Sequence, residues 1–487
     1  MNKSIYPFVK TLIISAKKQC SLIATSVGII AALGGFLYGY ETGLSNSVLA
    51  MTYVKENFAK NHESFSARES ALTTATLSLG TLFGALSSSV LADSIGRRST
   101  IILATLLIFN IGTVIQLVAT NVPILCVGRT VTGFGLGIIS AVVPLYQSEV
   151  SSKYVRGSIV SLYQWAITWG FLASSGVAQG THSRNDSGSY RIPIGLQSLW
   201  AILLSIGMYY LPESPRYYVK KGKIVEAAMS LSTLRKLSAE DYEIIEELVE
   251  IKANHDYEDS IQINSFLQIF KSGRGHSKQF LRIMTGICLQ ALQQATGINF
   301  VFYYGVNFFI NSGVQNSYII SFVTYAVNVV ATVPGIFMVE TIGRRKCLIY
   351  GALLMSIFNL IIAIVGVTTN SVIANKIMIA FVCCFIATFA STWGPVVWVY
   401  VSEIYSLNVR AKGVSIAAGT NWLFNFAFAF VTPYLLDQGN HTAALGTSIF
   451  FIWGGLTLAG AVFSYFAIYE TKGLKLEEID EIKKIRI

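Results

Sequence analysis

The stretch ADSIGRRST, Ala92–Thr100, returns further along the chain as VETIGRRKC, Val339–Cys347. Asp93, Gly96, Arg97 and Arg98 fall on Glu340, Gly343, Arg344 and Arg345. A second pair follows in the same order: SEVSSKYVRG (148–157) and SEIYSLNVRA (402–411), which set Glu149 and Arg156 against Glu403 and Arg410. A third is looser, Glu213 of PESPR against Glu470 of YETKG, each just past the last apolar run of its half. Ordered repetition on this scale implies a chain made of two similar halves.

The apolar runs between these motifs say what the halves are. The chain of 487 residues is 53% hydrophobic, only 13% charged, and has a mean hydropathy of +0.55. A soluble domain carries about 25% charged residues. Runs long enough to cross a bilayer, about 20 residues each, recur near 22–44, 71–92, 99–118, 124–147, 157–178, 193–211, 281–310, 318–339, 347–368, 376–401, 414–436 and 446–468. The expected fold is all-α, with twelve transmembrane helices in two six-helix, pseudo-symmetric bundles. The expected organisation is a cytoplasmic N-terminus over 1–20, bundles over 21–211 and 281–468, a helical linker over 212–280 and a short C-terminal segment over 469–487.

The net charge of +10 does not point to nucleic acid. Arg97, Arg98, Lys153, Arg156, Arg344 to Lys346, Arg410 and Lys412 sit in short loops that alternate with weakly basic ones at 119–123, 311–317 and 437–445. That is the positive-inside pattern, and it places both termini and the linker in the cytoplasm. The sequons at Asn185 and Asn440 then fall outside, as glycosylation candidates. Residues 1–20 show no cleavage-site pattern. The six cysteines have no metal-ligand spacing, so no metal and no cofactor is expected. Gly133, Gly135 and Gly137 lie inside a span, where close helix packing explains them better than a nucleotide loop. With no P-loop and no catalytic triad, an enzyme is excluded and no catalytic residue is assigned.

The repeated motifs have the chemistry of a latch. A carboxylate accepts fork-shaped hydrogen bonds from an arginine on a neighbouring helix. Asp93, Arg97, Glu149, Arg156 and Glu213 in one half, and Glu340, Arg344, Glu403 and Arg410 in the other, are the expected members. Arginines that only anchored loops would not need carboxylates at matching positions. In the bundle core, LQQATGINFVFYYGVNFF (292–309) carries four amides inside an apolar run.

GGFLYGYETG, DSIGRR, VGRTVTGFGLG, PESPRYY, QQATGINFVFYYG, VETIGRR and NWLFNF resemble the sugar porters of the major facilitator superfamily over roughly 24–480. Within that family, YQWAITWG and YETKGLKLEEIDE are similar to yeast glucose transporters and still more to yeast glucose sensors. The resemblance implies alternating access around one central hexose site. It carries sugar contacts onto Gln164, Gln293, Gln294, Asn299, Asn328, Trp398 and Asn421. The chemistry agrees: a hexose is a neutral ring of donors and acceptors, and amides offer both. Tyr303 and Tyr304 either gate the outer mouth or pack in the core. Some members carry a second glutamine two turns after the first on the fifth helix, and here that position is Phe171.

Glu41 sits inside the first span, where an unpaired charge costs about 3 kcal/mol on insertion scales. The resemblance pairs it with Arg129 and puts an aspartate at its position in proton-coupled members. The expected activity is hexose transport at the plasma membrane, glucose first, by facilitated diffusion or proton symport. The alternative is a glucose sensor that binds without carrying; sensors have long tails, and the end at Ile487 favours the carrier. The expected partners are the hexose, protons and the bilayer around a monomer.

Overall fold

The computed structural model describes residues 5–59, 65, 67–152, 155–260, 279–302, 317–369, 371–405, 409–436, 443, 445–474 and 479. No strand occurs among them. The first half holds α1 (Ile5–Ala50), α2 (Ala67–Ile95), α3 (Arg97–Leu117, with one π-turn over Ala104–Phe109), α4 (Val122–Val150), α5 (Arg156–Thr181) and α6 (Gly188–Tyr210). The linker forms α7 (Pro215–Lys220), α8 (Ile224–Arg235) and α9 (Tyr242–Ser260). The second half holds α10 (Gln279–Gln294), α11 (Ser317–Thr341), α12 (Arg344–Thr368), α13 (Val372–Ser391), α14 (Trp393–Glu403), α15 (Arg410–Leu436) and α16 (Ile449–Ala467).

Local chemistry sets several ends. The Asn121 side chain accepts from the Ile124 amide at 3.0 Å, with Pro123 in the first turn of α4, and Ser371 accepts from the Ala374 amide at 3.1 Å. Both satisfy donors that a helix start leaves unpaired. Three helices differ from the sequence reading. The first begins at Ile5 rather than near residue 22. The seventh run breaks at Ala295–Gly297, where Gly297 has φ +85°, before turning helical again at Ile298. The tenth breaks at Thr392, φ −128° and ψ −84°. Pro395 lies just beyond, and without an amide hydrogen it leaves the Ser391 carbonyl no helical partner.

Among the described residues, ten helices are long and apolar enough to cross a membrane by length and composition. The remaining two of the twelve are α5 and the run that begins with α10. α5 carries Gln164, Thr168, Ser174 and Ser175, all buried, and α10 carries Gln279, Gln290, Gln293 and Gln294, all buried. Their polarity faces protein rather than lipid.

Small residues let helices touch. A Cβ on Gly133 or Gly137 of α4 would stand 2.3 and 2.1 Å from the Leu77 and Thr81 carbonyl oxygens of α2. The linker has its own core of Val219, Ala227, Leu231, Ile244 and Ile251. It is tied to the first half by Arg216 Nη1 to Glu149 O at 2.6 Å, Arg235 Nη1 to Val150 O at 3.2 Å and Tyr217 Oη to Ser94 O at 3.0 Å. Burial lowers the Lys220 pKa against the pull of Asp93, and Lys412 of the second half adds a small repulsion in the same direction.

The repeat recurs in three dimensions. Gly96 and Gly343 have φ of +97° and +96° and start α3 and α12. A Cβ on either would lie 2.3 or 2.4 Å from a carboxylate oxygen of Glu213 or Glu470. Gly96→Ala and Gly343→Ala should each destabilise the protein by about 1–3 kcal/mol, from left-handed backbone strain and displacement of the acid. Thermal unfolding of the purified variants checks this; an unchanged midpoint overturns it.

Candidate functional site

The amides of the broken seventh run meet those of α15. Asn421 Nδ2 donates to Gln290 Oε1 at 2.7 Å and to Gln293 Oε1 at 2.9 Å, and Gln294 Nε2 donates to Asn421 Oδ1 at 2.8 Å. Asn299 Nδ2 donates to Gln294 Oε1. Gln293 Nε2 donates to the Trp393 carbonyl at 2.9 Å, one of the first in α14 after the break. So the break at Thr392 presents a carbonyl, and the break at Gly297 turns Asn299 back towards Gln294.

The expected contact of the first half, Gln164, faces this cluster, with Trp398 and Asn328 of the second half nearby. Gln164 of α5 reaches Gly394, where an added Cβ would be 3.3 Å from Gln164 Nε2. Trp398 packs edge-on to Tyr163, ring centres 6.0 Å apart. Asn328 of α11 is buried with no hydrogen-bond partner on Oδ1. Trp422, one residue from Asn421, donates to Ser140 Oγ of α4 at 3.0 Å and holds Tyr38 at 5.1 Å. The structure thus gathers Gln164, Gln293, Gln294, Asn299, Trp398 and Asn421 at the seam between the halves. Among the described residues, no charged side chain enters the hydrogen bonds of this cluster. Each amide has two donor hydrogens and acceptor lone pairs, so the network keeps capacity for a hydroxylated guest. Gln290 escaped the sequence reading, although its spacing of three and four from Gln293 and Gln294 puts it on their helix face. Tyr303, Tyr304 and Asn440 lie outside the described residues. Asn185 is exposed in the turn between α5 and α6.

A second polar site lies inside the first half. Glu41, Ser45, Gln116 and Arg129 line one small cavity closed by Leu44, Val48, Leu125 and Ile194. Arg129 donates to the Thr73 carbonyl at 3.0 Å and to the Ser45 hydroxyl. The Gln116 and Gln197 amides stand beside the buried Glu41 carboxyl, and Arg129 lies close to it. The acid and the base share a cavity, and the guanidinium donates to two neutral acceptors there, Ser45 and Thr73.

The third site is the linker end, where the two halves repeat most of each other's bonds. Arg97 pairs with Glu149 at 3.0 Å and Asp93 at 3.3 Å, and Arg344 with Glu403 at 3.0 Å and Glu340 at 2.9 Å. Ser214 Oγ donates to Glu149, as Thr471 Oγ1 does to Glu403. Glu213 and Glu470 do not pair through guanidinium forks. They accept the backbone amides of Arg97 and Arg98, at 2.9 and 3.0 Å, and of Arg344 and Arg345, at 2.9 and 3.2 Å. Each carboxylate therefore caps the amides at a helix N-terminus. Burial pushes the Glu213 carboxyl above its ordinary value, and these amides and Arg97 pull it back.

Among the described residues, Arg156 crosses between the halves by an ion pair. Arg156 Nε donates to Glu403 Oε1 at 3.0 Å, and the neighbouring Gly157 amide to Glu340 Oε1 at 2.8 Å. Its counterpart Arg410 donates to the Tyr405 carbonyl in its own half at 3.1 Å. Neutral bonds complete the seam, with Ser415 Oγ to Ala85 O at 2.7 Å and Ser78 Oγ to Asn425 Oδ1 at 2.8 Å.

Two related helical bundles, joined by a helical linker and meeting at a buried polar seam, define the twelve-helix membrane fold of the major facilitator type. The chain belongs to the sugar (and other) transporter family, whose profile matches residues 27–482. It is 55% identical over 465 residues to the high glucose sensor RGT2 of Saccharomyces cerevisiae, covering 95% of this chain. It spans 61% of the length of that relative. It is 44% identical over 474 residues to the probable glucose transporter rco-3 of Neurospora crassa, covering 94% of this chain and 79% of the other. The solved structure of the proton:xylose symporter XylE bound to 6-bromo-6-deoxy-D-glucose matches with a TM-score of 0.82 at 26% identity, over 95% of this chain and 99% of that one.

Arg156→Ala should part the halves at the linker end while Glu403 keeps Arg344 and Thr471. The loss should be about 2 kcal/mol, below the 3–5 kcal/mol typical when a buried pair leaves one charge alone. Thiol labelling of a cysteine placed at Ser158, with reagent applied from the linker face, should quicken. An unchanged rate would make Arg156 a topological anchor only.

Proposed function

We propose that this chain carries a hexose, glucose before others, across the plasma membrane by alternating access, with both termini and the linker 212–280 in the cytoplasm. The bundles 21–211 and 281–468 rock about the central site. The observation that carries the reading is the uncharged amide cluster of Gln290, Gln293, Gln294, Asn299 and Asn421, spanning α10 and α15 and faced by Gln164 and Trp398. A neutral polyol finds donors and acceptors there, and an ion finds no counter-charge. Four or five neutral bonds of about 1 kcal/mol each give millimolar affinity, near −4 kcal/mol, which suits release on the far side. Gln293 and Gln294 bind hydroxyls, Trp398 supplies an apolar plate, and Asn328 offers its unpartnered oxygen.

Labelled glucose uptake in a transporter-null yeast, with and without an uncoupler, tests the activity. Gln294→Ala removes a sugar contact and leaves Asn421 and Asn299 short of partners, so KM should rise about tenfold or more. Unchanged kinetics would remove this residue from the site. The similarity to a glucose sensor favours a second reading, a receptor that binds glucose without moving it. Surface-expressed protein that binds glucose but gives no uptake would establish that reading against the first.

Glu41 and Arg129 are the proposed proton-coupling pair, because both line one buried cavity. Protonation of Glu41 would free Arg129 to rest on the neutral acceptors Ser45 and Thr73. Glu41→Gln should abolish concentrative uptake and keep exchange down a gradient. The check is alkalinisation of the medium when glucose is added to deenergised cells. Uptake without alkalinisation would leave the pair a structural tie.

A further inference from the structure

Phe171 occupies the position where some sugar porters carry a second glutamine, which by sequence is a lost hydroxyl contact. In the structure its ring does something else. It stacks on Phe302 with centres 5.1 Å apart and planes 30° apart, and on Tyr325 at 5.3 Å and 25°. Phe302 and Tyr325 touch each other at 5.8 Å. Phe171 belongs to α5 of the first half, while Phe302 follows the break after α10 and Tyr325 belongs to α11, both in the second half. All three rings are buried. On its other side Phe171 lies against Gly43 of α1, where an added Cβ would be 3.2 Å from the ring, so the ring cannot swing aside that way.

The clasp stands on the far side of the sugar site from the linker. α5 starts at Arg156, in the latch, passes Gln164, and reaches Phe171 about two turns later. α11 runs towards the latch at Glu340, and Tyr325 precedes Asn328 by about one turn. The amide cluster is therefore bounded at one end by charged hooks and at the other by three stacked rings that join the halves.

We propose that Phe171, Phe302 and Tyr325 form the gate that closes the central site on the face away from the linker, with Phe171 as the tongue between two rings of the opposite bundle. This rests on the alternating-access reading. Opening that face pulls Phe171 out from between its partners, and closing it returns the ring. A glutamine at this position binds sugar but cannot stack, so this chain exchanges one hydroxyl contact for a firmer closure.

The test uses the full chain in intact cells, with a cysteine replacing the buried Tyr163 below the clasp. A membrane-impermeant thiol reagent is applied from outside, and labelling is corrected for the parent's native cysteines. Phe171→Ala and Phe171→Gln should each raise the labelling rate about tenfold, the worth of about one lost stacking contact. Phe171→Tyr should leave it unchanged. Tyr325→Leu, which breaks the clasp from the other half, should reproduce the rise if the Phe171 variants fail to reach the surface. Labelling at the parent rate in the surface-expressed Ala, Gln and Leu variants would overturn the gate. Because labelling is read without sugar, the gate stands or falls apart from the sugar-contact roles, which glucose uptake by Gln294→Ala decides separately.

Discussion

Glu403 holds the two halves in register. Its carboxylate is fully buried and accepts from Arg344 of its own half, from Arg156 of the other half and from Thr471. A buried carboxylate survives only where several donors replace its water. Glu149 is its counterpart in the first half and is seen with Arg97 and Ser214, both on its own side of the seam. The repeated motif therefore gives two cages of similar build, of which the second half's receives the crossing arginine. Because Gly157 donates to Glu340 one residue further on, α5 is pinned to α11 and α14 at the same point. The position of Gln164 and Phe171 over the opposite bundle follows from that attachment.

Lipid imposes the second constraint. With no water in the hydrocarbon, every amide on a spanning helix must be satisfied within protein. The two spans least able to pass as lipid-soluble, α5 and the run beginning at α10, are those whose polar faces meet at the seam. Buried amides and hydroxyls on both are what a helix shows when it lines a polar centre. The aliphatic helices around them, such as α12 and the span ending in α16, with mean hydropathies of 2.5 and 1.7, present their exposed leucines and isoleucines outward.

The two-half architecture was legible in the sequence because loop motifs are short and carry their chemistry locally. Asp93, Arg97 and Gly96 recur with the spacing their geometry requires. The role of Glu213 was not legible, because a carboxylate that caps backbone amides leaves no partner side chain to find. The breaks at Gly297 and Thr392 were hidden by continuous apolar composition, which reads the same whether a span is straight or interrupted. Gln290 was visible by spacing, but an amide on a helix face does not declare whether it meets another amide, a carbonyl or lipid. Phe171 read as a missing contact, because a sequence shows what a residue is not before it shows what it touches.

The two closures rest on different physics, and that difference suits the proposed carrier. At the linker end the bonds are ionic. When the halves part there, water enters and solvates Arg156 and Glu403, so the cost of breaking the bridge is partly offset by hydration. At the other end the bonds are ring on ring, and parting exposes apolar surface that water does not compensate, at about 25 cal/mol per Å². A carrier must keep its two open states within a few kcal/mol of each other, or one face would never be visited. A screened, hydratable latch on one face and a small stacked clasp on the other bring both costs into that range. On the proposed function, the amide cluster between them supplies the remaining few kcal/mol when a neutral guest bridges α5, α10 and α15.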